Sequence, residues 1–554
     1  MIFSFMENNP YLSMILLTLL IWCPNMATMP LSIMEARNFI TAREMVQDGH
    51  WILTTLNGLP RYEKPPLPTW LTALTGLVFG FKHLFLLRLP AMLMALFLAI
   101  NTFRFCELVL KDRVQSMVAS MILLSSFYTL GIVFEAPADI FTHGFMMAAI
   151  FYFTRLIQQK RIKWENAILS GVFIGCSILS KGPISLYVLF LPFLVAFSIR
   201  FKFPNNQNLP RYLFALTTIA LITGCWWYLY VHVKDPETLS VVAAKETQNW
   251  SDYNIKPFYY YWTFFAETGI WTVPAFVGLL YPLFRNRIRA QQNYLFSLVW
   301  TLAAVLLLSI IPEKKTRYLM PVLIPLAINT SFYVKYLLDR YKHTAFQWEK
   351  SIVYFNFGLI GLICLLLPIG LCVFLGHEAL RYTPFFIFYF PMLFVAGIAL
   401  LNAIIRRNVK SLFATTVLVS ILVYGGALPL YSLHTKSNDL YKLKDLQKYS
   451  QEHQITVYGD SLLSPEFIWY FGSSIPILSD EMDHSITQFG VISDSIFIQT
   501  KQDAGIIKSV AKLSKIDLNA NTLKGKAHSA RLIRSFYVID NRHNSKEFIK
   551  FASH

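Results

Sequence analysis

The sequence predicts an all-α polytopic membrane domain of about thirteen transmembrane helices, followed by one soluble α/β domain at the C-terminus. Three observations carry that reading. Of 554 residues 55% are hydrophobic and 15% charged, too apolar a balance for an ordinary soluble protein. Apolar runs of roughly 20 residues, the length a helix needs to cross about 30 Å of hydrocarbon, recur over the first 430 positions. Beyond Ser432 the composition turns polar and short β-branched runs appear.

The N-terminus lacks the basic n-region and small-residue cleavage site of a removable signal peptide, so Tyr11 to about Met29 is kept as the first span. The other spans are expected near Leu84–Phe103, Val114–Phe134, Ala138–Leu156, Glu165–Ser180, Ile184–Ile199, Tyr212–Val233, Phe258–Phe284, Tyr294–Ile311, Tyr318–Leu338, Ile352–Leu375, Pro384–Ala403 and Leu412–Tyr431. Leu67–Phe81, broken by Pro68 and several threonines, is short for a span and fits a helix lying in or dipping into the interface.

From Arg104 onward the loops alternate in charge. One set, from Arg104, Lys111 and Arg113 through Arg155, Lys160, Arg161 and Lys163 to Arg406, Arg407 and Lys410, holds 20 basic residues; the opposite set holds 8. The positive-inside rule makes the first set cytoplasmic, which puts the loops around Glu135–Asp139, Lys181–Pro183, Lys234–Pro257 and Pro312–Arg317 outside, together with the tail. The net charge of +17 therefore reads as topology charge with some anion sites, and argues against nucleic-acid binding. The six cysteines lie in or beside apolar runs without a CxxC pair, which excludes a disulfide framework and a cysteine metal site.

Residues 1–431 form the expected membrane domain, including an outer loop at 30–83, and residues 432–554 the expected α/β domain, with strand-like runs at 455–459, 475–478, 496–499 and 536–539. Three charged clusters lie between spans, where ionisable groups are functional candidates. Pro30–Pro66 holds Glu35, Arg37, Arg43, Glu44, Arg61, Tyr62, Glu63 and Lys64, and ends in a stiff Pro65-Pro66 turn. Glu35 to Gln47 reads as an amphipathic helix; its charges could simply face water, but Arg61 to Lys64 crowd donors that suit a phosphate better than a passive link. Glu135 to Asp139 place a carboxylate at the mouth of a span, as a base, a hydroxyl-orienting group, a metal ligand or simply a helix cap. The third cluster joins Lys181 of an SKGP run to Lys314, Lys315, Arg317 and Tyr318; it fits a phosphate clamp or lipid headgroups. The SKGP run lacks the glycines of a P-loop, and His143 and His232 lack paired metal-ligand spacing.

In order, MEARNFITAREM, LNGLPRYEKPPLPTWL, EAPAD, SKGP and EKKTRYLMP resemble the bacterial aminoarabinose transferases that act on lipid A. More broadly they are similar to the protein O-mannosyltransferase superfamily with the GT-C fold, over about Leu12 to Tyr431. The resemblance implies a glycosyltransferase with thirteen spans and a cytoplasmic N-terminus in the bacterial inner membrane. On the periplasmic side it would move a sugar, with inversion, from a polyprenyl-phosphate donor to a glycolipid or protein acceptor. Asp139 matches the family's second acidic position, Glu63 and Lys64 its EKP motif, Lys181 its SKGP lysine, and Lys315, Arg317 and Tyr318 its donor-phosphate region. The family's usual first acid is Met34 here, and a thioether cannot take a proton, so the base must be Asp139, Glu35 or Glu63. Arg37, Arg61, Tyr62, Lys64, Lys181, Lys314, Lys315, Arg317 and Tyr318 are the expected substrate-binding residues. No cofactor is required by this scheme, although a divalent metal is compatible with it. A transporter or flippase of lipid-linked saccharides is the alternative, but the chain lacks the matched repeats that such a fold uses.

Overall fold

The computed structural model describes residues 1–554 apart from 136, 159–162, 202–206, 289, 345–346, 377–382, 480–487, 521–528 and 541–554. Ala136 of the EAPAD run and Lys160, Arg161, Lys202, Arg289 and Arg381 of the loop charges therefore lie outside the described residues. The chain forms two compact units, one made of Met1–Thr28 with Tyr62–Leu430 and the other of Met29–Arg61 with Tyr431–His554. The outer loop expected to belong wholly to the membrane domain is thus divided at Arg61/Tyr62.

In the first unit, seven described helices are long and apolar enough to cross a membrane, or eight if Arg113–Ser125 and Phe127–Glu135, bent by 50° against each other, count as one. The protein is therefore a multi-pass helical membrane protein. Shorter apolar helices stand at Pro10–Met26, Leu67–Phe79, Leu186–Arg200 and Tyr389–Ile405. The 13 residues of Leu67–Phe79 make a helix about 20 Å long, well short of the hydrocarbon thickness. The helices differ in what surrounds them. The apolar windows of Pro137–Gln158 and Thr316–Tyr341 are 83% and 89% buried, against 28% for Leu209–Lys234, so the first two form the centre of the bundle.

One expected span is not a continuous helix. Phe258–Phe284 breaks into the 3-10 turns Phe258–Tyr261 and Phe264–Trp271 and the short helices Thr272–Leu279 and Tyr281–Phe284. Gly269 (φ 65°, ψ −114°) interrupts it, and Pro274 and Pro282 each remove a backbone donor. Hydrophobicity alone gives no sign of this, because the segment is predominantly apolar, with Glu267 its one acidic residue.

Trp164–Lys181 and Leu209–Lys234 pack closely through a GxxxG pair, Gly171 and Gly175. A Cβ added at Gly171 would stand 2.6 Å from the Leu216 carbonyl oxygen, and one at Gly175 would run into Thr223. The other side of the helix is tied by Ser177, whose hydroxyl donates to the Thr142 carbonyl at 2.7 Å. Gly182 (φ +81°) then ends the helix in a conformation that side chains rarely adopt, fixing where Lys181 emerges.

The second unit is built on a four-stranded sheet. Val457–Gly459 runs parallel to Gln488–Ser493; Ile533–Asp540 pairs antiparallel with Gln488–Ser493 on one side and Val510–Asp517 on the other. Along Ile533–Asp540, Phe536 and Val538 enter one apolar cluster and Tyr537 and Ile539 another, the period-2 alternation of a sheet covered on both faces. The first cluster also takes in Phe467 and Phe471 of Pro465–Phe471 and Ile40 of Ile33–Gln47. Burying Ile40 fully contributes roughly 1.5–3 kcal/mol, which is why the first half of the outer loop joins this unit.

Candidate active site

Asp139 lies in the first turn of Pro137–Gln158, two residues inside the helix, and its carboxylate is engaged by a side chain instead of the backbone amides that a cap would hold. That partner is the Lys181 ammonium, and the pair is largely closed to water, with side chains 3% and 13% exposed. Lys181 also stands 4.9 Å from the centre of the Tyr318 ring, a cation–π distance. The Tyr318 hydroxyl donates to Glu313 Oε2 at 3.2 Å, and Glu313 pairs with Lys315. Lys315 in turn faces the rings of Tyr253 and Tyr318 at 5.0 and 5.9 Å. Three sequence runs far apart in the chain, EAPAD, SKGP and EKKTRY, thus meet in one connected cluster.

Asn254 to Tyr261, which lead into that broken segment, support this cluster. Ile255 bridges Glu313 in antiparallel fashion, Asn254 Nδ2 donates to the Lys314 carbonyl at 2.6 Å, and Tyr261 OH both accepts from the Lys315 N–H (3.0 Å) and donates to its carbonyl (3.1 Å). Lys314 points away from Lys315. Its buried ammonium donates to the Ile311 and Pro312 carbonyls, and burial lowers its pKa.

Lys64 and Arg317 lie close enough for their charges to act on Lys181, and Arg317 acts on Asp139 as well. The cluster therefore sets the cations Lys64, Lys181, Lys315 and Arg317 against the carboxylates Asp139 and Glu313. A water-poor site with surplus positive charge is suited to a phosphate. Glu63 is exposed and Tyr62 buried; the Tyr62 hydroxyl donates to Asp235 Oδ2 at 3.0 Å, and burial with that bond pushes its pKa up to about 12. Asp235, held below the ordinary carboxylate range by hydrogen bonding from Thr238, caps Pro236–Asp252.

Glu35, Arg37 and Arg61 belong to the second unit. Glu35 is fully buried at the start of Ile33–Gln47 and completes a capping box with Ser32, accepting its N–H at 3.3 Å. Arg61 donates to the Arg37 carbonyl (3.0 Å) and to Thr41 Oγ1 (2.8 Å), and the buried Arg37 Nε has no hydrogen-bond partner among the described residues.

Three residues of the first unit are not singled out by the sequence. Glu313 stands beside its lysines, Asp235 carries no motif, and Tyr261 lies inside the expected span. His143, one turn beyond Asp139, is buried, its Nδ1 has no partner among the described residues, and it feels the Asp139 charge. Among the described residues, no group of three His, Cys, Asp or Glu side chains is placed to hold a metal ion.

Comparison with known proteins agrees with this architecture. Residues 63–228 match the family described as dolichyl-phosphate-mannose-protein mannosyltransferase. Proteins named undecaprenyl phosphate-alpha-4-amino-4-deoxy-L-arabinose arabinosyl transferase are similar to this chain. The one from Serratia proteamaculans is 24% identical over 60% of this chain and 59% of its own length. The one from Aeromonas salmonicida is 25% identical over 73% of this chain and 74% of its own length. The crystal structure of ArnT from Cupriavidus metallidurans bound to undecaprenyl phosphate superposes with a TM-score of 0.68 at 16% identity, covering 95% of this chain and 97% of that one. The fold is that of the GT-C membrane proteins. Within that class its sequence resembles the arabinosyl transferases named above.

Proposed function

We propose that this protein is an inverting membrane glycosyltransferase that moves a sugar from a polyprenyl-phosphate donor to an envelope acceptor such as lipid A. The observation that carries the reading is the Asp139–Lys181–Tyr318–Glu313–Lys315 cluster, with the further charges of Lys64 and Arg317 beside it. The sequence relatives are named as transferases of this kind.

An acceptor hydroxyl attacks the anomeric carbon, the bond from that carbon to the phosphate oxygen breaks, and its electrons leave with the polyprenyl phosphate. Lys64, Lys181, Lys315, Arg317 and Tyr318 hold the phosphate and stabilise the charge that grows on it. Phosphate draws Lys181 away from Asp139, and the freed carboxylate orients the acceptor and takes its proton. Glu63, exposed, is the second candidate for the base; Glu35 is the third, because its carboxylate is engaged in the helix cap. Tyr62 and Lys314 shape the site from behind, through Asp235 and the Ile311 carbonyl. No metal enters the scheme. A flippase would need the cations but no carboxylate among them, so the position of Asp139 favours transfer.

In this reading the chain crosses the bacterial inner membrane thirteen times, with its N-terminus in the cytoplasm and the α/β unit in the periplasm. The test uses membranes carrying the full chain and a radiolabelled polyprenyl-phosphate sugar. The parent transfers label to a lipid acceptor, and Lys64→Ala and Asp139→Asn do not; undiminished transfer by both variants overturns the assignment.

A further inference from the structure

A second charged site lies at the other end of the Pro137–Gln158 helix. Arg155 is 16 residues beyond Asp139, about 24 Å along the helix axis. There a cavity of about 520 Å³ is lined by Arg104, Lys111, Arg113 and Arg155, with Glu107 and Phe151. The Arg104 guanidinium stands 4.3 Å and that of Arg155 5.6 Å from the centre of the Phe151 ring, and both also reach Tyr152. The two guanidiniums are thus gathered around one aromatic pair.

The group also lacks compensation. Among the described residues, no side chain of these four cations forms an ion pair or hydrogen bond, whereas other cations of the same loop set are held: Lys335 by Asp112 and Asp339, Arg287 by Glu349, Arg200 by Asn293. The C-termini of Leu84–Leu110 and Pro137–Gln158 together offer about one unit of negative charge, and Glu107 one more. That leaves a surplus of about two positive charges in a cavity of ligand size.

We infer that this cavity binds a phosphate-bearing anion, presented by a phospholipid headgroup or free in solution, on the face that the loop charges assign to the cytoplasm. The guanidiniums, oriented by the Phe151 and Tyr152 rings, take the phosphate oxygens in their fork geometry, and Lys111 and Arg113 add charge at the exposed rim.

The test is native mass spectrometry of the full chain in detergent, titrated with phosphatidylglycerol, phosphatidylcholine or inorganic phosphate. Phosphatidylglycerol binds more tightly than phosphatidylcholine, and Arg104→Gln/Arg155→Gln weakens it roughly 30-fold, the effect of about two surface charges. Phosphatidylcholine binding stays unchanged. Arg104→Lys/Arg155→Lys keeps most of the affinity, and Lys111→Gln/Arg113→Gln, which leaves the aromatic contacts intact, loses affinity in the same direction. If millimolar inorganic phosphate competes, the natural ligand is a soluble phosphate; if it does not, the ligand is a headgroup. Equal binding of the two lipids without phosphate binding, or parent affinity in both glutamine variants, overturns the site.

Discussion

Two charge-rich clusters, Met29–Arg61 in one unit and Asp139 with Lys181 and Glu313–Tyr318 in the other, look alike in sequence and differ in what satisfies their charges. In the first, backbone does much of it. Glu35 accepts the Ser32 N–H, and Glu44 takes the Asn57 and Gly58 N–H groups together with the Thr55 hydroxyl at 2.6 Å, holding the hairpin of Thr55–Leu56 and Leu59–Pro60 around its turn. The Asn57 side chain then pairs with both backbone groups of Ile475 (2.6 and 2.7 Å). In the second cluster charged side chains satisfy one another, and cations exceed carboxylates. Charges bound to backbone are committed to shape, whereas charges bound to other side chains can be exchanged for those of a ligand.

The sharpest way to break this contrast is at the buried pair. Asp139→Asn is expected to lower kcat for sugar transfer by about 10²- to 10⁴-fold, the usual worth of a positioned base. Lys181→Met is expected to do comparable damage and to cost roughly 3–5 kcal/mol of stability, because it leaves the Asp139 carboxylate buried and unpaired. Thermal unfolding in detergent separates the two effects. Asp139→Leu/Lys181→Met is expected to recover most of the lost stability and none of the transfer; recovery of transfer would make the pair structural.

In the other cluster the largest effect should fall on stability. Ile40→Ala opens a cavity against Phe467 and Phe536, at a cost of about 2–5 kcal/mol. Limited proteolysis of the full chain should then find both Met29–Arg61 and the region after Tyr431 more readily cleaved. Cleavage restricted to the tail would separate the loop from that core.

The sequence made the helical bundle and the meeting of EAPAD, SKGP and EKKTRY legible, because apolar run length and charge in a membrane are strong local signals. It hid the division at Arg61/Tyr62, since the partners of Phe39, Ile40 and Arg43, among them Phe467 and Trp469, lie some four hundred positions away. It also hid the break in Phe258–Phe284, where hydropathy is blind to the Gly269 backbone and to the tyrosines that brace the Lys315 loop. The Gly171/Gly175 pair is legible as a GxxxG spacing, which marks the helix carrying Lys181 as closely packed against a neighbour.

The three candidate bases sharpen the comparison further. Glu35→Gln keeps an acceptor for the Ser32 N–H and should reduce transfer by less than about tenfold, as should Glu63→Gln, both well short of the loss expected of a general base. The same assay with labelled donor ranks them against Asp139→Asn. A loss in Glu35→Gln equal to that of Asp139→Asn would move the base into the second unit.

The smallest effect is expected at Tyr62, whose bond to Asp235 joins the Pro65-Pro66 turn to the Pro236–Asp252 helix without contacting the reacting groups. Tyr62→Phe should leave kcat nearly unchanged and lower the unfolding temperature slightly. Its pH dependence is diagnostic. The Tyr62 pKa is raised from 10.0 to about 12, so its contribution is full below pH 10 and fades as pH rises toward 12. Asp235 is shifted down, so its contribution is present at neutral pH and is lost as pH falls below the carboxylate range. The difference in unfolding temperature between parent and Tyr62→Phe should therefore hold across neutral pH and close at both extremes, and a difference independent of pH would show that ring packing against Trp227, not the hydrogen bond, is what Tyr62 supplies.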